Sequence, residues 1–245
     1  MEKMKIVFNG VNFSYLPGVP ILEDVNLELE NGLTLLLGPN GTGKSTFLKM
    51  AAGIEMCEKG KILINGYDLW KEEVLSRRNL VYVPEQPDLT PYATVKEILD
   101  LVCRVRNEKL EKAKEMVKRS GLEGLERRTV RELSMGQRRR AVFAAAWIGN
   151  SHIILLDEPM EGLDRRIQTT ILEWIQKKIQ MGALGVIVSH DVSPYVSLTS
   201  QGLTIVRGKM LHFKNLPPDN KQKKRFLEKL AEGRVGNEGS IIEKI

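Results

Sequence analysis

Cysteine is nearly absent from this chain, and long apolar runs are missing altogether. Two cysteines, Cys57 and Cys103, are the only ones in 245 residues. They stand far apart and without metal-ligand spacing, which excludes a disulfide-stapled scaffold and a cysteine metal centre; both read as reduced thiols of a cytosolic protein. No stretch approaches the roughly eighteen apolar residues of a membrane-spanning helix. The opening, MEKMKIVFNG, has basic residues but lacks the apolar core of a secretory signal. No internal repeat stands out and no low-complexity linker divides the chain. What is present is a sequence that is 42% hydrophobic, enough for a sizeable core in one domain, or one domain with a subdomain. The net charge of +6 is compatible with an anionic partner, and an evenly solvated lysine excess accounts for it equally well.

Periodicity divides the chain into an α/β frame with a helical insert. Strands are expected over 5–9 and 11–15, and over 25–30, where Val25, Leu27 and Leu29 alternate with polar residues. LTLLL (33–37), LVYV (80–83), IILLD (153–157) and GVIVS (185–189) are continuous apolar runs, as strands buried on both faces would be. KILING predicts a short strand with an Asn65-Gly66 turn, and 203–213 a hairpin. Thr94 and Glu97 have capping-box spacing and open a helix to about Arg106. A second helix is expected over 108–119, with Glu108–Lys112 and Glu115–Arg119 as i,i+4 pairs. Ser134 reads as the N-cap of a core helix over 135–149, and another helix is expected over 167–180. The expected organisation is one domain over 1–220 with a helical subdomain at about 90–150. A short tail over 221–245 holds one helix and a loose end.

Three strand ends carry chemistry. GPNGTGKST follows a buried strand and opens a helix. Glycines at 38, 41 and 43 leave room for backbone N–H groups to surround phosphates; Lys44 would reach the β- and γ-phosphates and the Ser45 hydroxyl a magnesium ion. Asp157, at the carboxyl end of an apolar strand, is placed to hold Mg²⁺ through its water shell. Glu158 beside it is placed to orient and deprotonate a water in line with the γ-phosphate. His190 ends a third strand and can donate to the γ-phosphate. Tyr15 can stack on adenine or belong to the core. The helix start at Ser134 offers unpaired N–H donors to an anion.

In the order P-loop, LSMGQ, strand ending in Asp-Glu, GLD and SH, the chain resembles the ATP-binding cassette (ABC) ATPases from about residue 5 to 210. The resemblance implies a P-loop NTPase core, mainly parallel, with an N-terminal antiparallel β subdomain and a helical insert. It implies that Gly38, Pro39, Asn40, Gly41, Thr42, Gly43, Lys44, Ser45 and Thr46 form the Walker A loop. It likewise implies that Asp157 is the Walker B aspartate, Glu158 the catalytic glutamate and His190 the switch histidine. Ser134, Gly136 and Gln137 fall in the signature, Asp164 in the D-loop and Tyr15 at the adenine-stacking position. In this family two cassettes pair head to tail, each nucleotide lying between one Walker A loop and the other chain's signature. The ligands implied are ATP and Mg²⁺, and the activity Mg-dependent ATP hydrolysis.

The chain departs from the pattern in three places. Met135 replaces a signature glycine. Glu85 stands where the Q-loop glutamine is expected, with Gln86 one step late, so either is the candidate to reach the metal. Met160 and Glu161 replace small residues before Gly162. The function expected is the energy-supplying subunit of an ABC transporter, peripheral on the cytoplasmic face. Separate transmembrane subunits would dock near 85–130, and a second cassette, identical or different, would complete the site. The VPEQP loop and short tail lean towards export. The alternative is a soluble ABC ATPase acting on ribosomes or nucleic acid, although nucleic acid is not the expected partner. The transported substrate is chosen by the membrane subunits and is not written in this chain.

Overall fold

The computed structural model describes residues 3–87 and 89–234. β1 (Lys5–Phe13) and β2 (Leu22–Glu30) form an antiparallel ladder. β1 is one strand and not the two expected over 5–9 and 11–15. An irregularity between Phe8 and Val11, with Gly10 at φ 60°, shifts the register without ending the pairing. β3 (Gly32–Leu37) leaves this sheet for the centre of the next and runs into α1 (Lys44–Ala51). β4 (Lys59–Ile64) pairs with the other edge of β1, and the Asn65-Gly66 turn leads to β5 (Tyr67–Asp68). The crossing of β1 and β4 is tight at Gly60. A Cβ there would lie 2.4 Å from the Gly10 carbonyl oxygen and 2.5 Å from that of Asn9, at a φ of +85°. Gly60→Ala is therefore expected to cost about 2 kcal/mol or more, read as a lower midpoint in urea unfolding.

After α2 (Glu73–Arg77) and β6 (Leu80–Val83) comes the helical insert: α3 (Val95–Val105), α4 (Glu111–Ser120) and α5 (Met135–Ala146). The Thr94 capping box forms, the Thr94 amide donating to Glu97 Oε2 at 2.8 Å. α4 begins later than the 108 expected, because Asn107 takes a left-handed conformation (φ 54°) and a tight turn precedes Glu111. Lys112 pairs with Glu115 at 2.8 Å instead of Glu108, and the Arg119 guanidinium lies over the Trp147 ring at 4.5 Å. β7 (Ile153–Asp157), α6 (Arg165–Gln180), β8 (Leu184–Val188), the hairpin β9 (Thr199–Val206) and β10 (Lys209–Phe213), and α7 (Asn220–Ala231) complete the described chain. The loose end expected past residue 234 lies outside the described residues.

The second sheet has six strands in the order β10-β9-β3-β8-β7-β6, parallel except for β10. Both of its faces are covered, which is why its central strands read as unbroken apolar runs. Leu33, Leu35 and Leu37 of β3 point into a core shared with Leu99, Met116, Phe143, Trp174 and Leu230 from the helices. Leu36 points to the other face, among Phe47 of α1 and Ile6 and Leu29 of the antiparallel sheet. Parallel strands bring their carboxyl ends to one edge. There the loops after β3, β6, β7 and β8 meet, the usual place for a ligand in an open α/β sheet.

Candidate functional site

A cavity of about 590 Å³ opens at that edge. Its floor is the loop between β3 and α1. Gly38, Gly41 and Gly43 have φ values of 142°, 78° and 99°, conformations that side chains rarely permit. At Gly43 a Cβ would also lie 2.6 Å from Ile21 Cγ2. The Thr42 hydroxyl donates to the Pro39 carbonyl at 3.0 Å and closes the turn. α3, α5, α6 and α7 all have side-chain N-caps, from Thr94, Ser134, Asp164 and Asp219. α1 has none, and no acidic residue in its first turn. Its amide donors and positive dipole end are thus left for an anion in the cavity.

Lys44 is buried and donates to the Gly38 and Pro39 carbonyls at 2.8 and 2.9 Å, curling along the loop. Burial pulls its pKa down, against the opposing pull of Glu158, Asp157 and Glu85. Asn40, Gly41, Gly43, Ser45 and Thr46 line the cavity with it, whereas Gly38, Pro39 and Thr42 do not. Tyr15 stands at the rim, exposed and edge-on to Phe13 at 4.8 Å, its hydroxyl 3.5 Å from Thr46 Oγ1.

Carboxylates form the opposite wall. Asp157 is 2% exposed, and burial raises its pKa against a hydrogen bond from Ser45. Its Oδ1 is buried without a hydrogen-bond partner. Glu158 follows at φ 45°, its amide held by the Val188 carbonyl at 3.0 Å. Its Oε2 accepts the His190 amide at 3.2 Å, and its Oε1 lies 3.5 Å from His190 Nε2. Burial raises this pKa too, against the lowering effect of His190. A raised folded-state pKa means that the folded chain keeps these protons to higher pH than the unfolded chain. Their contribution to stability is full below the ordinary carboxylate range and is lost as pH rises through the raised values. Ligand-free Asp157→Asn is therefore expected to melt about 2–5 °C above the parent chain near pH 7. The gap should close as pH falls towards 4, a comparison that thermal melts across pH make directly.

Of the two Q-loop candidates, Glu85 lines the cavity and Gln86 does not. Ser134, Gly136 and Gln137 also lie away from their own chain's cavity lining, as does Asp164. Ser134 caps α5 in a capping box with Gln137, amide to Oε1 at 2.9 Å, and Asp164 caps α6 by accepting the Ile167 amide at 3.1 Å. Two residues at or beside the cavity carry no clear sequence signal. Ile21, immediately before β2, packs under Gly43, a contact with no local sequence signal. Arg139, outside the cavity lining, reaches the Glu158 carbonyl from α5; its only signal was a charge at helical spacing from buried Phe143 and Ala146.

Comparison with known proteins agrees with this geometry. The family model described as "ABC transporter" matches residues 22–161. The chain is 32% identical over 213 residues to the sulfate/thiosulfate import ATP-binding protein CysA of Synechocystis sp., covering 84% of this chain and 59% of that protein. It is 34% identical over 209 residues to the taurine import ATP-binding protein TauB of Escherichia coli O157:H7, covering 82% of this chain and 79% of TauB. Among solved structures, an ATP-binding subunit of an ABC transporter superposes with a TM-score of 0.78 at 22% identity, over 91% of this chain and 94% of that one, a likeness of fold. A dimeric ATP-binding cassette in a post-hydrolysis state, bound to ADP and phosphate, superposes with a TM-score of 0.75 at 25% identity, over 85% of this chain and 98% of that one. A loop built for phosphates, a buried carboxylate pair beside it and these matches lead to one conclusion: the chain belongs to the ABC transporter family of ATP-binding ATPase domains.

Proposed function

We propose that this chain hydrolyses ATP to energise a membrane transporter, as one of two paired copies that complete each other's sites. The observation that carries this reading is the split of the anion-binding parts. Loop 38–46, Asp157 and Glu158 converge on one cavity, while the helix start at Ser134 lies elsewhere on the same chain. A second cassette supplies that helix start across the pair. Lys44 and the α1 amides hold the β- and γ-phosphates, and Tyr15 stacks on the adenine from the rim. Glu158 takes the proton of the attacking water. His190 fixes one of its oxygens through a backbone amide; the other, buried without a hydrogen-bond partner and 3.5 Å from His190 Nε2, would take the water's proton, and burial raises the carboxylate's basicity for the task.

The side chains present fit a magnesium ion. Asp157 offers a buried oxygen with no other partner, and the Ser45 hydroxyl lies against the same carboxylate. Among the described residues no three His, Cys, Asp or Glu side chains converge to hold a metal by themselves, so Ser45, Asp157 and phosphate oxygens would share it. When bound, the ion neutralises charge on the β- and γ-phosphates. We assign the Q-loop place to Glu85, because it faces the cavity.

Transmembrane partners are proposed to dock on the helical insert within 85–130, where Tyr92, Leu101 and Val105 are exposed. Val74 of α2 is exposed beside Val105, across a cleft of about 540 Å³. Such a chain would sit peripherally on the cytoplasmic face. Among the described residues no helix is long and apolar enough to cross a membrane, so docking on a separate spanning subunit would hold it there. On direction, CysA and TauB are both import proteins, which favours import over the export direction suggested by the VPEQP loop. The test is capture of tagged Glu158→Gln chain from its native cells in mild detergent. Recovery of a multi-spanning membrane protein supports the reading. Recovery of ribosomal or nucleic-acid proteins, with no membrane protein, overturns it in favour of a soluble ATPase.

A further inference from the structure

Three consecutive arginines follow the signature, and only the middle one is buried. Arg138 donates through Nε to the Val130 and Leu133 carbonyls at 3.0 and 3.1 Å, and Arg140 to the Gly121 carbonyl at 3.2 Å, contacts that stay within the helical insert. Arg139 is 5% exposed and turns inward on the α5 face that carries Phe143. Its guanidinium donates to the backbone carbonyl of Glu158 and lies 3.9 Å from Glu161 Oε2, while its Nε is buried without a partner. Burying a guanidinium with one N–H unpaired is expensive for folding, and an apolar side chain would pack there at lower cost.

The receiving end explains what the charge is for. Glu158 sits at φ 45°, a conformation that a residue with a long side chain adopts only when its surroundings enforce it. The turn after it is held at several points: Gln168 Nε2 donates to the Met160 and Leu163 carbonyls at 2.9 and 3.0 Å, and the Glu161 amide to the Glu158 carbonyl at 3.3 Å. All of these come from the turn itself or from α6. Arg139 is the contact from the helical insert, and one helical turn earlier α5 approaches the same segment again. A Cβ on Gly136 would lie 3.3 Å from the Gly162 carbonyl oxygen. The helix that begins at Ser134 is thus fastened, about 7.5 Å along its axis, to the peptide that aims the carboxylate.

We propose that Arg139 is a positioning residue for Glu158: it ties the signature helix to the Glu158–Asp164 turn within one chain, so that displacement of α5 at its Ser134 end withdraws the carboxylate from its working place. The helix end that meets one nucleotide therefore controls the carboxylate that serves the other. This rests on the reading of Glu158 as the proton acceptor. Glu161 acts as the outer counter-ion that keeps the guanidinium seated, which gives a function to a carboxylate where the family has a small residue.

The test uses the full chain with Arg139→Gln, Arg139→Lys, Glu161→Gln and the double variant Arg139→Gln/Glu161→Gln. Steady-state turnover is measured beside equilibrium affinity for a fluorescent ATP analogue. Arg139→Gln is expected to lower kcat by about 10- to 100-fold, the scale of a misplaced catalytic group, with KM and nucleotide affinity within about twofold of the parent. Arg139→Lys should restore part of that loss, since an ammonium can still donate to the Glu158 carbonyl. Because Arg139 is buried, each variant is melted first; Glu161, whose side chain is largely solvent-exposed, serves if the arginine variants do not fold. Its substitution should lower kcat about 2- to 5-fold, and the effect should vanish when Arg139 is already glutamine. Folded Arg139→Gln with parental kcat, or with a raised KM and unchanged kcat, overturns the proposal. So does a Glu161→Gln effect that is the same in both backgrounds, or no Glu161→Gln effect where the arginine variants do not fold. If Glu158→Gln keeps its turnover, the underlying reading of Glu158 fails instead.

Discussion

Glu158→Gln is expected to lower steady-state ATP turnover by about 10²- to 10⁴-fold while leaving Mg-ATP binding intact. The substitution keeps the size of the side chain and one carbonyl oxygen, so the bond from the His190 amide at 3.2 Å can persist and the strained turn keeps its support. What it removes is the only property that proton transfer needs, a basic oxygen. An amide cannot take a proton from water at neutral pH, so the nucleotide waits unhydrolysed between the two chains and the closed pair accumulates. The measurement is single-turnover hydrolysis beside analytical sedimentation with Mg-ATP. Slow hydrolysis with more dimer is the expected pair of results. The same substitution removes a partly buried negative charge, so the ligand-free variant should also be somewhat more stable at neutral pH, in parallel with Asp157→Asn.

Lys44→Ala is expected to fail earlier, at binding. The ammonium braces the loop through the Gly38 and Pro39 carbonyls and is the only lysine or arginine among the described residues lining the cavity. Three of the four lining carboxylates, Glu85, Asp157 and Glu158, act on it. Without Lys44 a polyphosphate would meet those carboxylates with backbone amides alone. Losing charge-assisted hydrogen bonds of this kind should weaken ATP affinity by roughly 10- to 100-fold. Turnover at saturation should fall by a further 10²-fold or about that, since charge on the γ-phosphate peaks in the transition state. Calorimetric titration with Mg-ATP separates the two losses. Lys44→Arg is not a conservative rescue, because the planar guanidinium cannot follow the lysine's path along the loop.

Much of the site was legible because each part has a local cause. β3, β7 and β8 read as strands because both faces are buried, and P-loop glycines read as such because the required φ values admit little else. The Thr94 capping box and the Ser134 N-cap are each local to one helical turn, and both form; at Ser134 the structure adds the reciprocal bond to Gln137. What escaped depends on distant chain. Whether β1 is one strand or two is decided by its partners β2 and β4, which follow the irregularity at Gly10 on both sides. The later start of α4 turns on a left-handed Asn107, one conformation among several open to asparagine. The run KQKKRF looks like a solvated helix start, yet Leu227 and Leu230 just beyond it are fully buried against the central sheet. The glycine after α7 is close enough that a Cβ on Gly233 would lie 2.7 Å from Pro39 Cγ, which brings the helix end up to the phosphate loop. Arg139 is the sharpest case: three arginines in a row are equivalent on paper, and only the Glu158 carbonyl, 19 residues away, distinguishes them.

If each working site is made from two chains, as proposed, two inactive variants should rescue each other when mixed. One chain carries Lys44→Ala and keeps its signature. The other keeps its loop and carries Ser134→Asp, which preserves the N-cap, since aspartate caps as well as serine, but sets a negative charge against the phosphate. Neither chain alone can assemble a complete site. In an equal mixture half of the pairs are mixed and each mixed pair has one intact site, so about a quarter of the parental ATPase rate should return. Activity no greater than the sum of the separate variants would show that the site is not shared between chains.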